Sequence, residues 1–163
     1  MTSVLRPARH ASAMPRTSGA NLIFPGMICW CAMRNDPITN ARALLGVPFR
    51  LHGRTPEYGL DCVGLIAIAF GLSVGVPTGY ALRGGDTQHF ERLLRRQGFV
   101  GRQAKWRRGD VLMLRPGPAQ VHLGLWAGES LIHADAGLGR IVETPGIPRW
   151  PIHSAWLCRR RSA

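Results

Sequence analysis

Asp61-Cys62-Val63-Gly64-Leu65, continued by Ile66-Ala67-Ile68-Ala69-Phe70, reads as an aspartate-capped helix with a cysteine in its first turn. Asp61 can accept a hydrogen bond from the unpaired N–H groups of that turn. A thiol beside those groups and the positive end of the helix dipole is expected to favour its thiolate, the nucleophilic form. The helix is predicted from Cys62 to about Leu72. Val63, Ile66, Ala67, Ala69 and Phe70 make it apolar nearly all round, so it belongs between other elements rather than on a surface.

Upstream, Asp36 as N-cap, Pro37 at the first helical position and Gly46 after Leu44-Leu45 bracket a second, shorter helix. Residues 47 to 60 are rich in turn formers and read as a loop leading to the cysteine. Downstream, residues 73 to 85 carry Gly75, Pro77, Gly79 and Gly84-Gly85, again a loop. Asp86 then caps an amphipathic helix whose apolar side is Phe90, Leu93 and Leu94, ended by Gly98. Residues 1 to 32 differ in character, with Arg6, Arg9 and Arg16 among Ser, Ala and Pro. Leu22-Ile23-Phe24 is broken at once by Pro25-Gly26, which makes a poor signal peptide. This segment is expected to be a disordered or loosely packed extension, with Met33 as an alternative start and residues 33 to 163 as the folded domain.

After Gly98 the period changes from helical to extended. Val111 to Leu114, Val121 to Trp126, Leu131 to Ala134, Ile141 to Thr144 and Ala155 to Cys158 are short runs parted by Gly, Pro and Asp, as in an antiparallel meander. Helices first and strands afterwards indicate an α+β domain, with the N-terminal helices packed on an antiparallel β-sheet. Strand alternation places Val121, Leu123 and Leu125 on one face and His122, Gly124 and Trp126 on the other. With Gly128-Glu129 as the turn, Gly124 lies opposite His133. His122 and His133 are then diagonal neighbours, roughly 7 to 8 Å apart along the backbone. A turn one residue longer would send His133 to the other face.

The chain has 163 residues and is 45% hydrophobic, enough for one domain with its own core. Its net charge of +12 fits either a polyanionic partner or simply solvated arginines. No run of about 20 apolar residues is present, so no membrane insertion is expected. The basic residues are not interleaved with aromatics as in a stacking platform, so no nucleic acid partner is expected either.

Cys62, His122 and His133 form a nucleophile, base and orienter set of the kind cysteine hydrolases use. His122 takes the thiol proton and returns it to the leaving amine, while His133 fixes the tautomer of His122. The other conspicuous residues read as structural. Cys29 and Cys31 form a C-x-C with no second pair, and no metal or cofactor is expected. Cys158 reads as a small buried hydrophobe, and no disulfide framework is indicated. His10, His89 and His153 read as solvated, and Trp106, Trp150 and Trp156 as core or rim packing. Arg159-Arg160-Arg161 reads as a solvated tail.

Taken in order, the motifs resemble the NlpC/P60 cysteine peptidases. Asp61-Cys62-Val63-Gly64-Leu65 is similar to their D-C-S-G-L, and Gly46-Val47-Pro48-Phe49 to the G-x-P-Y before it. Gly109-Asp110-Val111-Leu112 resembles G-D-L, His122-Leu123-Gly124-Leu125 resembles H-V-G-I, and Ile132-His133-Ala134 resembles I-H-A. Five motifs in order over residues 37 to 144 carry the likeness. It implies a papain-like fold and hydrolysis of peptidoglycan stem peptides between D-γ-glutamate and diaminopimelate. It also implies Cys62, His122 and His133 as catalytic residues and substrate contacts at Asp61, Phe49 and Val63. The run from Leu45 to Leu65 is most similar to the branch of phage and gene-transfer-agent cell-wall peptidases, which implies phage-like tail proteins as partners. Val63 for serine, Phe49 for tyrosine and His52-Gly53 for a glycine pair are departures. The first two keep a non-catalytic tail or wall-binding component on the same fold as the alternative.

Overall fold

The computed structural model describes residues 36–72, 76, 78–80 and 86–159. The first helix, α1 (Pro37–Arg42), starts where Asp36 accepts from the Ile38 N–H, with Pro37 at the position where a missing N–H costs nothing. Asn40, buried on α1, donates its side-chain amide to the Ala69 carbonyl at 2.9 Å. That bond ties α1 to the end of the cysteine helix.

The cysteine helix, α2 (Cys62–Ala69), is buried along its whole length, as its unbroken apolar surface requires. Leu65, Ile66 and Ile68 are each at most 5% exposed, and burying each such side chain stabilises by about 1.5–3 kcal/mol. The helix stops three residues before the predicted Leu72. Phe70 is its cap, and the Leu72 N–H turns back to the Ala67 carbonyl at 2.7 Å. Helix α3 (Thr87–Arg96) is capped by Asp86 and buries Phe90 and Leu94. Gly98, at φ +86°, lets the chain leave it.

The predicted loop over residues 47 to 60 contains structure of its own. Two-residue strands β1 (Arg54–Thr55) and β2 (Gly59–Leu60) pair as a hairpin immediately before the cysteine. Gly53 and Gly64 pack so closely that a Cβ at Gly64 would lie 2.2 Å from the Gly53 carbonyl oxygen, and one at Gly53 would lie 2.0 Å from that of Gly59. Only glycine lets this hairpin rest on the first turn of α2.

Six antiparallel strands form the main sheet: β3 (Phe99–Gly101), β4 (Val111–Leu114), β5 (His122–Trp126), β6 (Ser130–Asp135), β7 (Arg140–Pro145) and β8 (Ile152–Cys158). Their spatial order is β3-β8-β4-β5-β6-β7. The meander is therefore β4 to β7. Strand β8 does not extend it but returns to pair between β3 and β4, and β3, too short to show a pattern in sequence, forms the edge. Asp110, 1% exposed, accepts from the Arg107 N–H and pairs with the Arg102 guanidinium, which fixes the chain as it enters β4.

The sheet is covered on both faces. Val111, Met113, Leu123, Leu125, Ile132 and Ala134 meet the helices in the main core. On the opposite face, Leu112, Leu114, Trp126, Leu131 and Ala155 form a smaller core under Trp106, Trp150 and Ile152. Trp156 and Cys158 pack with the main core, Trp156 2% exposed and Cys158 partly buried; Cys62 and Cys158 are both free thiols. His153 is not simply solvated, because its Nε2 lies 3.3 Å from Glu91 Oε1. The extension over residues 1 to 32, the Met33 start, the Cys29/Cys31 pair, His10, most of the 73 to 85 loop and Arg160-Arg161 lie outside the described residues.

Candidate active site

Residue pairing across β5 and β6 puts Gly124 opposite His133, Leu125 opposite Ile132 and Trp126 opposite Leu131. This is the register that places both histidines on one face. His122 Nε2 and His133 Nδ1 are 3.2 Å apart, and His133 Nε2 lies 3.2 Å from the Thr144 hydroxyl on β7. Thr144 is opposite Leu131 and therefore diagonal to His133. A chain His122–His133–Thr144 thus crosses three neighbouring strands. Trp150 seals it, meeting His122 edge-on at 5.4 Å and His133 at 5.3 Å between ring centres. Trp150 therefore does more than cover the small core.

Cys62 reaches the same place from the other side of the sheet. Its thiol lies against the backbone N–H groups of Leu123 and Val63. Cys62 and His122 both line one cavity of about 390 Å³, together with Phe49, Gln120, Asp135 and Trp150. The cavity opens at the rim where β5 begins, so a residue of the helix face and one of the opposite face can both border it. Among the described residues no hydrogen bond joins the thiol to His122.

Burial favours the neutral form of both Cys62 and His122. Burial pushes the Cys62 thiol up to about 12, the adjacent Asp61 charge adds to this, and the Leu123 and Val63 N–H groups oppose it only in part. The low thiol pKa expected from the helix N-terminus is overturned by burial and by the capping carboxylate itself. Burial, then the neighbouring His133, pushes His122 down to about 3. His133, 2% exposed, is also lowered, chiefly by burial.

The remaining expected contacts divide. Phe49 lines the cavity. Asp61 touches it but is 1% exposed, and its oxygens are taken by protein donors. These are the Gly64 N–H (2.8 Å), the His52 N–H (2.7 Å), the Arg54 guanidinium (2.8 Å) and the Tyr80 hydroxyl. Asp61 is accordingly an organiser of the loop and helix rather than a hand held out to substrate. Val63 turns away altogether and lines a separate small apolar cavity with Ile66, Phe90 and Leu123.

His52, standing where a glycine is common in the resembled motif, adopts φ +61°, a conformation glycine takes without cost. Its N–H to Asp61 and the 2.6 Å contact of its Nε2 with the Tyr80 carbonyl hold it there. Sequence reading missed Thr144, Trp150 and Tyr80. Thr144 was reachable, since it shares the parity of His133 on the next hairpin. Tyr80 stands in a glycine-rich loop with no periodic signal.

No protein-family model matches the chain, and no curated protein matches it significantly. Among solved structures, it is similar to the P60 domain of antigen MAP1204 from M. avium subspecies paratuberculosis, at 21% identity and a TM-score of 0.50. That match covers 79% of this chain and 96% of the other. The peptidoglycan hydrolase RipB from Mycobacterium tuberculosis aligns at 24% identity and a TM-score of 0.48, over 78% of this chain and 64% of that one. The resuscitation promoting factor interacting protein RipA aligns at 19% identity and 0.48, over 79% and 62%. With helices on an antiparallel sheet and Cys62 opening the buried helix, the chain has the papain-like α+β fold of a P60 domain.

Proposed function

We propose that this protein is a cysteine peptidase of the NlpC/P60 type that hydrolyses peptide stems of bacterial peptidoglycan, at a bond between D-γ-glutamate and diaminopimelate. The observation that carries this reading is the shared cavity. One nucleophile, Cys62, and one imidazole, His122, border it, and the imidazole is held by a second imidazole at 3.2 Å. With His122 Nε2 engaged by His133, Nδ1 is the nitrogen left for the thiol. If Thr144 accepts from His133 Nε2–H, then His133 Nδ1 accepts from His122 Nε2–H, and His122 Nδ1 carries the lone pair of a base.

Attack then proceeds with proton transfer. The Cys62 sulfur bonds to the scissile carbonyl carbon as its proton passes to His122, giving a tetrahedral oxyanion; the N–H groups of Leu123 and Val63, which lie against the sulfur, are its proposed donors. His122 returns the proton to the departing amine, and the C–N bond breaks. Water, deprotonated by His122, releases the acyl group and restores the thiol. His133 accepts from the imidazolium at each stage.

In this reading the protein works at the cell wall, and association with a phage-like tail accounts for the motif run from Leu45 to Leu65. The buried, protonated thiol favours the alternative of a non-catalytic tail or wall-binding component. The two separate on one measurement. Purified peptidoglycan fragments are incubated with wild type and with Cys62→Ala and analysed by mass spectrometry. Stem fragments released by wild type alone support the peptidase, and equal release, or none from wild type, rejects it.

A further inference from the structure

The Cys62 cavity does not end at the histidines. A second cavity of about 480 Å³ adjoins it, and both are bordered by Asp135, Gly137, Arg149 and Trp150. Arg149 is exposed at this junction. Its guanidinium lies 4.7 Å from the Trp150 ring centre, the same ring that meets both histidines edge-on. This cation–π contact holds the side chain against the ring at the cavity edge.

Among the described residues Arg149 makes no hydrogen bond and no ion pair. Of the two carboxylates bordering the Cys62 cavity, Asp61 is bound within its own loop, while Asp135 feels the Arg149 charge without forming an ion pair with it. Asp61 is occupied by its four donors, and Asp135 Oδ1 accepts from the N–H groups of Gly137 (2.8 Å) and Leu138 (3.0 Å). A guanidinium that forms no hydrogen bond and interacts with Asp135 only beyond ion-pair distance, on the cavity that Cys62 borders, is suited to bidentate recognition of a carboxylate.

We propose that Arg149 is the specificity-determining residue of the site and binds a substrate carboxylate adjacent to the scissile bond, with Trp150 setting its geometry. This rests on the peptidase reading. Two carboxylates of a stem peptide could supply the anion, the α-carboxylate of the γ-linked glutamate or the side-chain carboxylate of diaminopimelate, which lysine lacks.

The test compares wild type with Arg149→Lys and Arg149→Met on three synthetic stem peptides: the native acid, the form amidated at the glutamate α-carboxyl, and the form with lysine for diaminopimelate. Wild type should lose about 10-fold or more in kcat/KM on the one peptide that lacks the recognised carboxylate, which identifies its source. Arg149→Met should cleave all three at a similar, low kcat/KM, and Arg149→Lys should regain only part of the preference, because an ammonium cannot bind bidentately. Equal cleavage of all three peptides by wild type, or an Arg149→Met protein that still discriminates, overturns the Arg149 assignment and leaves the peptidase reading standing. Cleavage of none by wild type overturns the peptidase reading and the assignment with it.

Discussion

At Cys62 two influences oppose each other. The first turn of α2 offers N–H groups that favour a thiolate, while burial and the Asp61 charge disfavour it and push the thiol up to about 12. The second pair wins, so the free protein holds a neutral thiol beside a neutral imidazole. Iodoacetamide should therefore modify Cys62 more slowly than an exposed thiol at neutral pH, with the rate still climbing beyond pH 9; a rate plateau near neutrality would reveal a preformed ion pair and contradict this account. In the proposed peptidase, proton transfer must then accompany attack, which would make His122 indispensable and His133 only supportive. His122→Ala is expected to lower kcat by about 10²–10⁴-fold. His133→Asn should keep more activity than His133→Ala because an amide oxygen can still accept from the His122 ring, and equal losses would remove His133 from the orienting role. The same burial links His122 to stability. Its folded-state pKa, about 3, lies below its ordinary 6.5, so the unfolded chain binds the extra proton first as pH falls. The stability contributed is complete above pH 6.5 and drains away toward pH 3. Thermal melts of His122→Gln should accordingly fall less steeply over that interval than those of wild type, whereas parallel curves would assign the acid sensitivity to other groups.

At the scale of elements, the β1–β2 hairpin and the first turn of α2 position Cys62 through close backbone contact. Gly64→Ala would put a methyl 2.2 Å from the Gly53 carbonyl oxygen, which cannot yield as a side-chain tip can. We expect a loss of about 1–3 kcal/mol in denaturant unfolding, together with reduced turnover from a displaced Cys62; an unaltered midpoint would show that the hairpin is free to shift. The sequence motif marked Gly64 without explaining it, because the explanation lies in a residue eleven positions earlier. What could be read from the chain were features with a local cause. Asp36, Asp61 and Asp86 each cap the helix they precede, and the Gly128-Glu129 turn alone determines that His122 and His133 share a face. What could not be read had distant causes. Strand β8 slots between β3 and β4 through pairing set by tertiary packing, as in Val111 opposite Trp156, and Asp61 is withdrawn from substrate by Arg54 and Tyr80, whose approach no local pattern announces.

Over the whole molecule, 21 Lys and Arg against 9 Asp and Glu give a field that extends well beyond any one contact. Exposed charges of this kind contribute little to folding singly, but together they concentrate an anionic polymer near the surface. Arg149 acts differently, since it is a single stacked cation at the cavity and meets a carboxylate at hydrogen-bonding range, where salt screens weakly. These two roles separate by ionic strength. Raising salt from about 50 mM to about 500 mM shortens the screening length to a few ångströms, so attraction to an intact anionic wall should collapse while contact pairing survives. Turnover of whole sacculi should then fall several-fold across that range, and kcat/KM on a short soluble stem peptide should change much less. A parallel decline of both would place the salt sensitivity in the site itself, and salt-insensitive sacculus turnover would reduce the net charge to solvated arginines with no part in finding the wall.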